Sequence, residues 1–207
     1  MSLKLFYFPG SCARASHIAL EEASADYEAI RVNLLEGEQR SPAYLAINPK
    51  GRVPALVGEN GVLTETPAIL AYVAQTYPQA RLAPLDDPWA FAQAQSFNAY
   101  LCATLQVAHS HGRRGSRWAD DPVALADMTR KVPETVGACF QLIEDEMLQG
   151  PYVLGETYSI CDAYLFTVAR WMEGDGVDPA RFPRVAAHSA LVAARPAVIR
   201  VVARETA

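Results

Sequence analysis

The pattern of apolar and polar positions changes once along the chain. In the first 78 residues, short β-prone runs alternate with helical segments, whereas the residues after 88 have helical periodicity almost throughout. β-prone runs at 4–8 and 27–34 flank a helical pattern over 13–25, and a β-α-β unit of this length favours parallel strands. The pattern therefore predicts a mixed α/β half followed by an all-helical half.

Turn signals organise the rest of the first half. Ser41-Pro42 predicts the start of a short helix, and Glu59-Asn60-Gly61 predicts a hairpin with a type I′ turn before a strand at 62–64. Glu65-Thr66-Pro67 then opens a helix that reaches about Tyr77. The resulting order, β-α-β, a connecting helix and β-β-α, is that of a thioredoxin-like domain.

A proline-bearing segment without periodicity divides the two halves. We expect a thioredoxin-like domain over 1–80, a linker over 81–88 and an all-helical domain over 89–207. The fold class is thus α/β plus all-α. Helix-breaking Gly and Pro residues, together with Asp at helix starts, divide the second half into helical segments at 89–112, 122–148, 160–173, 183–194 and 196–205.

Composition and charge exclude several classes of protein. The 207 residues are 51% hydrophobic and 20% charged, which is typical of a globular chain, and the net charge of −5 argues against a nucleic-acid partner. No apolar run approaches about 18 residues, so we expect no membrane span and a cytoplasmic location. The cysteines at 12, 102, 139 and 161 form no C-x-x-C pair, so neither a metal site nor a disulfide framework is expected.

Cys12 is the candidate reactive group, because it stands where the first strand ends and the first helix begins. A helix N-terminus favours the thiolate. The alternative is an inert buried cysteine. Tyr7 and Ser11 carry hydroxyls able to donate to a bound thiolate, although Tyr7 also fits a half-buried strand aromatic. Ala15 stands where a resolving cysteine would follow, so redox chemistry would need an outside thiol.

Two further motifs suit a peptide-like ligand. The Val53-Pro54 bond lies between a turn and a strand, where either cis or trans is acceptable, and a cis bond would leave the Val53 backbone free to pair with a ligand. Glu65 and Thr66 precede a helix, where they can accept from an ammonium group and donate to a carboxylate. Ordinary N-capping explains Thr66 equally well.

Together these segments resemble the glutathione S-transferase superfamily, and within it most closely the bacterial beta class, whose members have cysteine at the Cys12 position. The resemblance covers both halves of the chain in family order. It rests on residues 5–12, 48–56, 65–69 and 160–171.

The resemblance implies a binding mode. Val53, before a cis Pro54, pairs with the cysteinyl backbone of glutathione, Glu65 and Thr66 hold the γ-glutamyl end, and Cys12 lies near the sulfur. It also implies the two-domain fold with the active site in the interdomain cleft, and a homodimer. Ser159-x-x-Asp162 independently predicts an N-capping box, which is a structural motif.

The helical half departs from the beta-class pattern. Gln106-Val107 stands where those enzymes generally carry a His-Lys pair. His109 and Arg113 are four residues apart and share a helix face, and with His111 they are candidates for binding an anionic co-substrate. The alternative is a solvated or dimer-interface face.

The leading functional hypothesis is a glutathione S-transferase that conjugates or exchanges the glutathione thiol with small electrophilic substrates, in detoxification. The glutathione thiolate would be held by Ser11, Cys12 or Tyr7 and the helix N-terminus. One alternative is a glutathione-dependent thiol-disulfide reductase using Cys12. Another is a non-catalytic binding module on the same fold.

Overall fold

The computed structural model describes residues 2–206, and its amino-terminal half contains a four-stranded mixed sheet. The strands are β1 (Leu3–Tyr7), β2 (Tyr27–Arg31), β3 (Ala55–Gly58) and β4 (Gly61–Thr64), and their order in the sheet is β2-β1-β3-β4. β1 and β2 are parallel and β3 and β4 are antiparallel, as predicted. β1 also pairs with β3, in the antiparallel direction.

Helices fill the remainder, and proline at the first helical position begins many of them, where its missing N–H leaves no bond unmade. The fourth helix begins at Pro88, inside the predicted linker. The helices are α1 (Ala13–Glu22), α2 (Pro42–Ile47), α3 (Thr66–Thr76), α4 (Pro88–Tyr100), α5 (Gln106–Arg114), α6 (Pro122–Leu142), α7 (Ile160–Ala169), α8 (Pro183–Ala193) and α9 (Pro196–Thr206).

Two π turns interrupt the predicted helical blocks. The π turn at Leu101–Leu105 joins α4 to α5, and a second at Ile143–Met147 follows α6. Both blocks were expected to be regular helices. Apolar periodicity does not distinguish one widened turn inside a helix from a continuous helix.

The predicted type I′ hairpin turn is wrong in detail. Gly58 pairs with Gly61, so Glu59 and Asn60 are the central residues of the turn. A type I′ turn needs positive φ at both central residues, but here the positive φ falls on Gly61, at 108°. The antiparallel pairing that the turn was taken to predict is nevertheless present.

The core lies where the two halves meet. All ten residues of α7 are buried, and α1 is buried from Ala13 to Leu20 and packs against α7, α3 and α9. The helix that follows Cys12 is therefore held by both halves of the chain. Within residues 2–206, no single helix has the length and apolarity to cross a membrane; α8 and α9 meet the criteria only as a pair bent by 84°.

The predicted capping box begins α7. Asp162 Oδ2 accepts from the Ser159 N–H at 2.7 Å, and the Ser159 hydroxyl oxygen accepts from the Cys161 N–H at 3.2 Å. The other Asp162 oxygen accepts from the Val153 N–H at 2.7 Å and lies 2.9 Å from His188 Nε2. One buried carboxylate thus ties the start of α7 to a preceding loop and to α8.

Candidate active site

A cleft between the halves contains two adjoining hollows. The small hollow, of about 130 Å³, includes Pro54, Glu65, Thr66 and Cys102 in its wall. The large hollow, of about 610 Å³, includes Ser11 in its wall. Both are lined by Cys12, Arg52, Val53, Gln106, Ser110 and Arg117.

Cys12 is the N-cap residue of α1, and its side chain is buried. Its thiol donates to the Val53 carbonyl, with the sulfur 3.6 Å from the oxygen. Burial raises the pKa of the Cys12 thiol, and hydrogen bonding with Thr66 and Gln106 offsets this only in part. Burial therefore opposes the Cys12 thiolate that the helix N-terminus was expected to favour.

Of the two hydroxyl candidates, one lies at the cleft. Ser11 lines the large hollow, where its hydroxyl donates to the Phe8 carbonyl at 2.7 Å. Tyr7 lines neither hollow, and its ring packs on His17 with 5.0 Å between centroids. Alternation along β1 turns Tyr7 into the core with Leu5, which corrects the expectation that it contacts the reacting sulfur.

The Val53-Pro54 peptide bond is cis, as the resemblance implies, and both residues line the small hollow. The preceding turn is fixed at the Arg52 carbonyl, which accepts from the Tyr44 hydroxyl and the Asn48 amide, each at 2.7 Å. Within residues 2–206 the Val53 N–H forms no hydrogen bond, while its carbonyl accepts from Cys12. A backbone donor and acceptor thus stand together beside the hollow.

Glu65 and Thr66 form another part of the small-hollow wall. Glu65 is the N-cap of α3 with a φ of 73°, a left-handed conformation that costs a non-glycine residue about 1–3 kcal/mol. Its carboxylate lies 2.7 Å from Lys50 Nζ. Thr66 is buried as the first helical residue, and within the described part of the chain no side chain forms a capping hydrogen bond to this helix. Ordinary capping therefore does not explain the motif.

The start of α5 stands opposite Cys12. Gln106 and Val107 both line the small hollow, which is where the resemblance locates the beta-class His-Lys pair. The Gln106 side-chain oxygen accepts from the Tyr164 hydroxyl at 2.9 Å. This part of the wall therefore offers Cys12 an amide and no positive charge.

His109 and Arg113 line the large hollow, whereas His111 lines neither. His109 Nδ1 lies 2.8 Å from Asp175, and its ring stacks on Trp171 with 4.4 Å between centroids. The His111 ring meets Trp118 edge-on at 4.6 Å. Positions two apart point to different sides of a helix, so His111 is removed from the expected co-substrate wall.

Sequence reasoning missed several residues of the cleft. No sequence motif singles out Cys102, yet it lines the small hollow with Cys12. Arg114 and Arg117 follow Arg113 in the sequence and also line the large hollow, but they were not predicted as site residues. The additional charged or aromatic residues of the two walls are Phe8, Arg40, Arg52, Arg114, Arg117, Trp118, Arg170, Trp171 and Asp175. No group of metal-ligating side chains occurs within residues 2–206.

The turn before Cys12 is clamped by the helical half. The Trp171 indole N–H donates to the Gly10 carbonyl at 2.9 Å. The Gly10 N–H donates to Glu205 at 3.0 Å. Gly10 has a φ of 71°, a conformation that favours glycine. The position of Cys12 therefore depends on hydrogen bonds that Trp171 and Glu205, both in the helical half, form with Gly10.

Comparison with known proteins gives the class. Residues 1–75 match the model of the glutathione S-transferase N-terminal domain, and residues 117–193 match that of the C-terminal domain. The chain is 32% identical to glutathione S-transferase GstA of Escherichia coli O157:H7 over 95% of each chain.

Solved structures agree. A glutathione transferase homologue from Sulfitobacter with bound glutathione superposes with a TM-score of 0.95 at 48% identity, covering 98% of both chains. A bacterial beta-class glutathione S-transferase from Sphingomonas chungbukensis gives 0.85 at 31% identity, also over 98% of each. The chain belongs to the glutathione S-transferase family and is a glutathione transferase, with the thioredoxin-like and helical halves that the sequence predicts.

Proposed function

We propose that the cleft binds glutathione with its sulfur beside Cys12 and transfers that sulfur to a small electrophile. One observation carries the proposal: the Val53 N–H, which has no hydrogen-bond partner among residues 2–206, the Glu65-Thr66 helix start and the Cys12 thiol all border the small hollow. These are the groups that a tripeptide with an amino-acid end and a thiol requires. The Sulfitobacter homologue, which is similar over nearly its whole length, contains bound glutathione.

Each group has a role that follows from its chemistry. The Val53 N–H donates to the cysteinyl carbonyl of glutathione, and the Val53 carbonyl accepts from the cysteinyl N–H. Glu65 accepts from the γ-glutamyl ammonium group. Thr66 and the first N–H groups of α3 donate to the neighbouring carboxylate. Pro54 fixes the direction of the Val53 carbonyl at the hollow.

Because its pKa is raised, we assign Cys12 the role of a protonated thiol. A protonated thiol is a hydrogen-bond donor rather than a nucleophile. We therefore assign Cys12 and Ser11 to positions around the glutathione sulfur, with the N-terminus of α1 favouring its thiolate. The thiolate forms a carbon–sulfur bond at the electrophilic carbon, and the displaced group leaves with its electron pair.

The disulfide-reductase alternative needs Cys12 as the attacking thiolate, which burial disfavours. Cys102 borders the same hollow and would be the nearest candidate for a resolving thiol. A non-catalytic module is the less favoured alternative, because the relatives to which the chain is similar are named as transferases. We further propose, from the resemblance, a cytoplasmic homodimer that serves detoxification; light scattering in solution tests the dimer.

Calorimetric titration with glutathione and conjugation of 1-chloro-2,4-dinitrobenzene test the proposal. We expect Cys12→Ala to bind glutathione and to retain measurable conjugation at a reduced rate. Cys139→Ala, in a residue that lines neither hollow, is the matched control. A wild-type protein that neither binds glutathione nor conjugates any electrophile refutes the proposal. Loss of disulfide reduction in Cys12→Ala with full conjugation would instead favour the reductase alternative as a second activity.

A further inference from the structure

The large hollow is strongly positive although the chain is acidic overall. Its wall contains Asp175 as the acidic side chain against an excess of guanidinium groups. The net charge of the chain is −5, so this concentration of positive charge is local. The six arginines of the wall, named here the arginine set, are Arg40, Arg52, Arg113, Arg114, Arg117 and Arg170.

The arginine set has no internal counter-charge. Among residues 2–206, none of its members forms an ion pair with a carboxylate. The one aspartate of the wall is engaged by His109 at 2.8 Å. Burial, and the neighbouring charges of Arg52, Arg114 and Arg40, lower the pKa of Arg117. Arg117 therefore lies close enough to Arg52, Arg114 and Arg40 to be repelled by them, and an anion in the hollow would relieve that repulsion.

Glutathione alone does not account for so many cations. At neutral pH it carries two carboxylates and one ammonium group, and in the proposed mode the γ-glutamyl end is held at Glu65 and Thr66. One glycyl carboxylate then remains, which one or two arginines neutralise. Arg113 and Arg170 belong to the helical half and stand on the same wall as His109 and Trp171.

The same hollow also offers apolar surface. Phe8, Leu35 and Trp171 line it, and the Leu35 side chain is 85% exposed. The Trp171 ring is already fixed by its stack on His109 and its bond to Gly10. An unsaturated or aromatic body can pack here while its charged end meets the guanidinium groups.

Resting on the proposed function, we infer that the second substrate is a carboxylate-bearing electrophile, bound with its anionic group at Arg113 and Arg170 and its reacting carbon toward Cys12. The shared wall of the two hollows makes this orientation possible, since Cys12 and Gln106 border both. A neutral electrophile of the same shape would fill the hollow without engaging the arginines.

A matched pair of electrophiles tests the inference. Cinnamaldehyde and 4-carboxycinnamaldehyde both add a thiol across the conjugated double bond: sulfur bonds to the β-carbon and a proton is taken up at the α-carbon. At saturating glutathione, kcat/KM for each is divided by its uncatalysed rate constant. The preference for the carboxylated aldehyde is the ratio of the two results. We expect a preference of about tenfold in the wild type, in the range of one charge-assisted hydrogen bond.

Removing the positive charge of Arg113 or Arg170 should lower the preference for the carboxylated aldehyde. Arg113→Gln and Arg170→Gln should each lower it about fivefold, because partly exposed pairs are weaker than buried ones. Raising the salt concentration should lower the wild-type preference as well. Arg130→Gln is the control, since Arg130 is an exposed arginine of α6 paired with Asp127 outside both hollows. It should leave the preference within about twofold.

The possible failures are distinguishable. If glutathione does not bind and neither the aldehydes nor 1-chloro-2,4-dinitrobenzene are conjugated, the proposed function itself is refuted. If 1-chloro-2,4-dinitrobenzene is conjugated but neither aldehyde is, the carboxylate inference is overturned. If both are turned over but the preference is near one, the transferase assignment stands and the carboxylate inference is overturned. If the arginine variants raise the KM for glutathione while the preference is unchanged, the arginines serve glutathione and the inference is again overturned.

Discussion

Glu205, near the end of α9, offers a sharp test of how the helical half holds the reactive turn. It is buried, and its Oε2 accepts from the Gly10 N–H at 3.0 Å and from Arg14 Nε at 2.8 Å. Arg14 is buried as well, with its Nη2 2.7 Å from the same oxygen. His17 Nδ1 lies 3.5 Å from the other oxygen.

Glu205→Gln removes the charge while keeping the shape of the side chain. Removing one partner of a buried ion pair costs about 3–5 kcal/mol. Because the amide oxygen can still accept one of these bonds, we expect the lower end, about 3 kcal/mol. For a chain of this size, 1 kcal/mol corresponds to about 2–4 °C, so the melting temperature at pH 7 should fall by about 6–12 °C.

The destabilisation should depend on pH. Burial raises the pKa of the Glu205 carboxyl, but the effects of His17, Arg14 and the Gly10 N–H together lower it more. The pKa of Glu205 in the folded protein is therefore below its usual value of 4.5. The unfolded state therefore binds this proton more readily than the folded state. The stability contributed by Glu205 is full above the unfolded carboxyl pKa, about 4.3, and is lost as the pH falls through the lower folded value.

Thermal unfolding followed by circular dichroism at several pH values measures both effects. The gap between wild type and Glu205→Gln should be widest near pH 7 and should close in acid. Glu134→Gln, in an exposed glutamate paired with Lys131, is the control and should shift the midpoint by less than about 2 °C. A Glu205→Gln protein as stable as wild type at pH 7, or a gap that is the same in acid, would refute the reasoning.

Three further predictions follow from the site and its supports. Iodoacetamide should alkylate Cys12 slowly at pH 7 and faster above pH 9, because burial raises the thiol pKa; rapid labelling at pH 7, read by mass spectrometry against Cys12→Ala, would contradict this. Trp171→Phe loses the indole bond to Gly10 and should lower kcat/KM about fivefold, in line with one hydrogen bond; unchanged kinetics would show that Glu205 alone fixes the turn. Asp162→Asn should destabilise by about 3 kcal/mol, because a buried carboxylate that accepts from Val153 and Ser159 is replaced, and urea unfolding measures it; a loss below about 1 kcal/mol would contradict the capping role.

The sequence predicted those parts of the fold that depend on local pattern. β-prone runs and turn residues located the four strands, the parallel β1-β2 pair and the antiparallel β3-β4 hairpin, and Ser159-x-x-Asp162 located the start of α7. The π turn at Leu101–Leu105 was missed, because one widened turn leaves the helical periodicity on either side intact. The turn type at Asn60 was also missed, because the positive φ occurs at Gly61, after the two central residues of the turn.

The residues of the candidate site were likewise predicted well only where their position depends on local sequence. Val53, Thr66 and Cys12 were found because backbone geometry and helix ends follow from chain order. Tyr7 and His111 were misplaced because their direction depends on which face of a strand or helix the rest of the protein covers. The pKa of Cys12 likewise depends on burial in the folded chain and on hydrogen bonding with Thr66 and Gln106, which are distant in sequence, so no local motif predicts it.

The π turn at Leu101–Leu105 has a consequence for how this wall of the cleft can change. An α-helix advances by about 100° per residue, and a π turn accommodates an additional residue within one turn. Deleting one residue from this segment would therefore restore a continuous α-helix and leave Gln106, His109 and Arg113 on nearly the same face relative to α4. A deletion within α5 itself would instead rotate the residues that follow it by about 100°, so the π turn is the place where this part of the chain can change length while the wall keeps its direction.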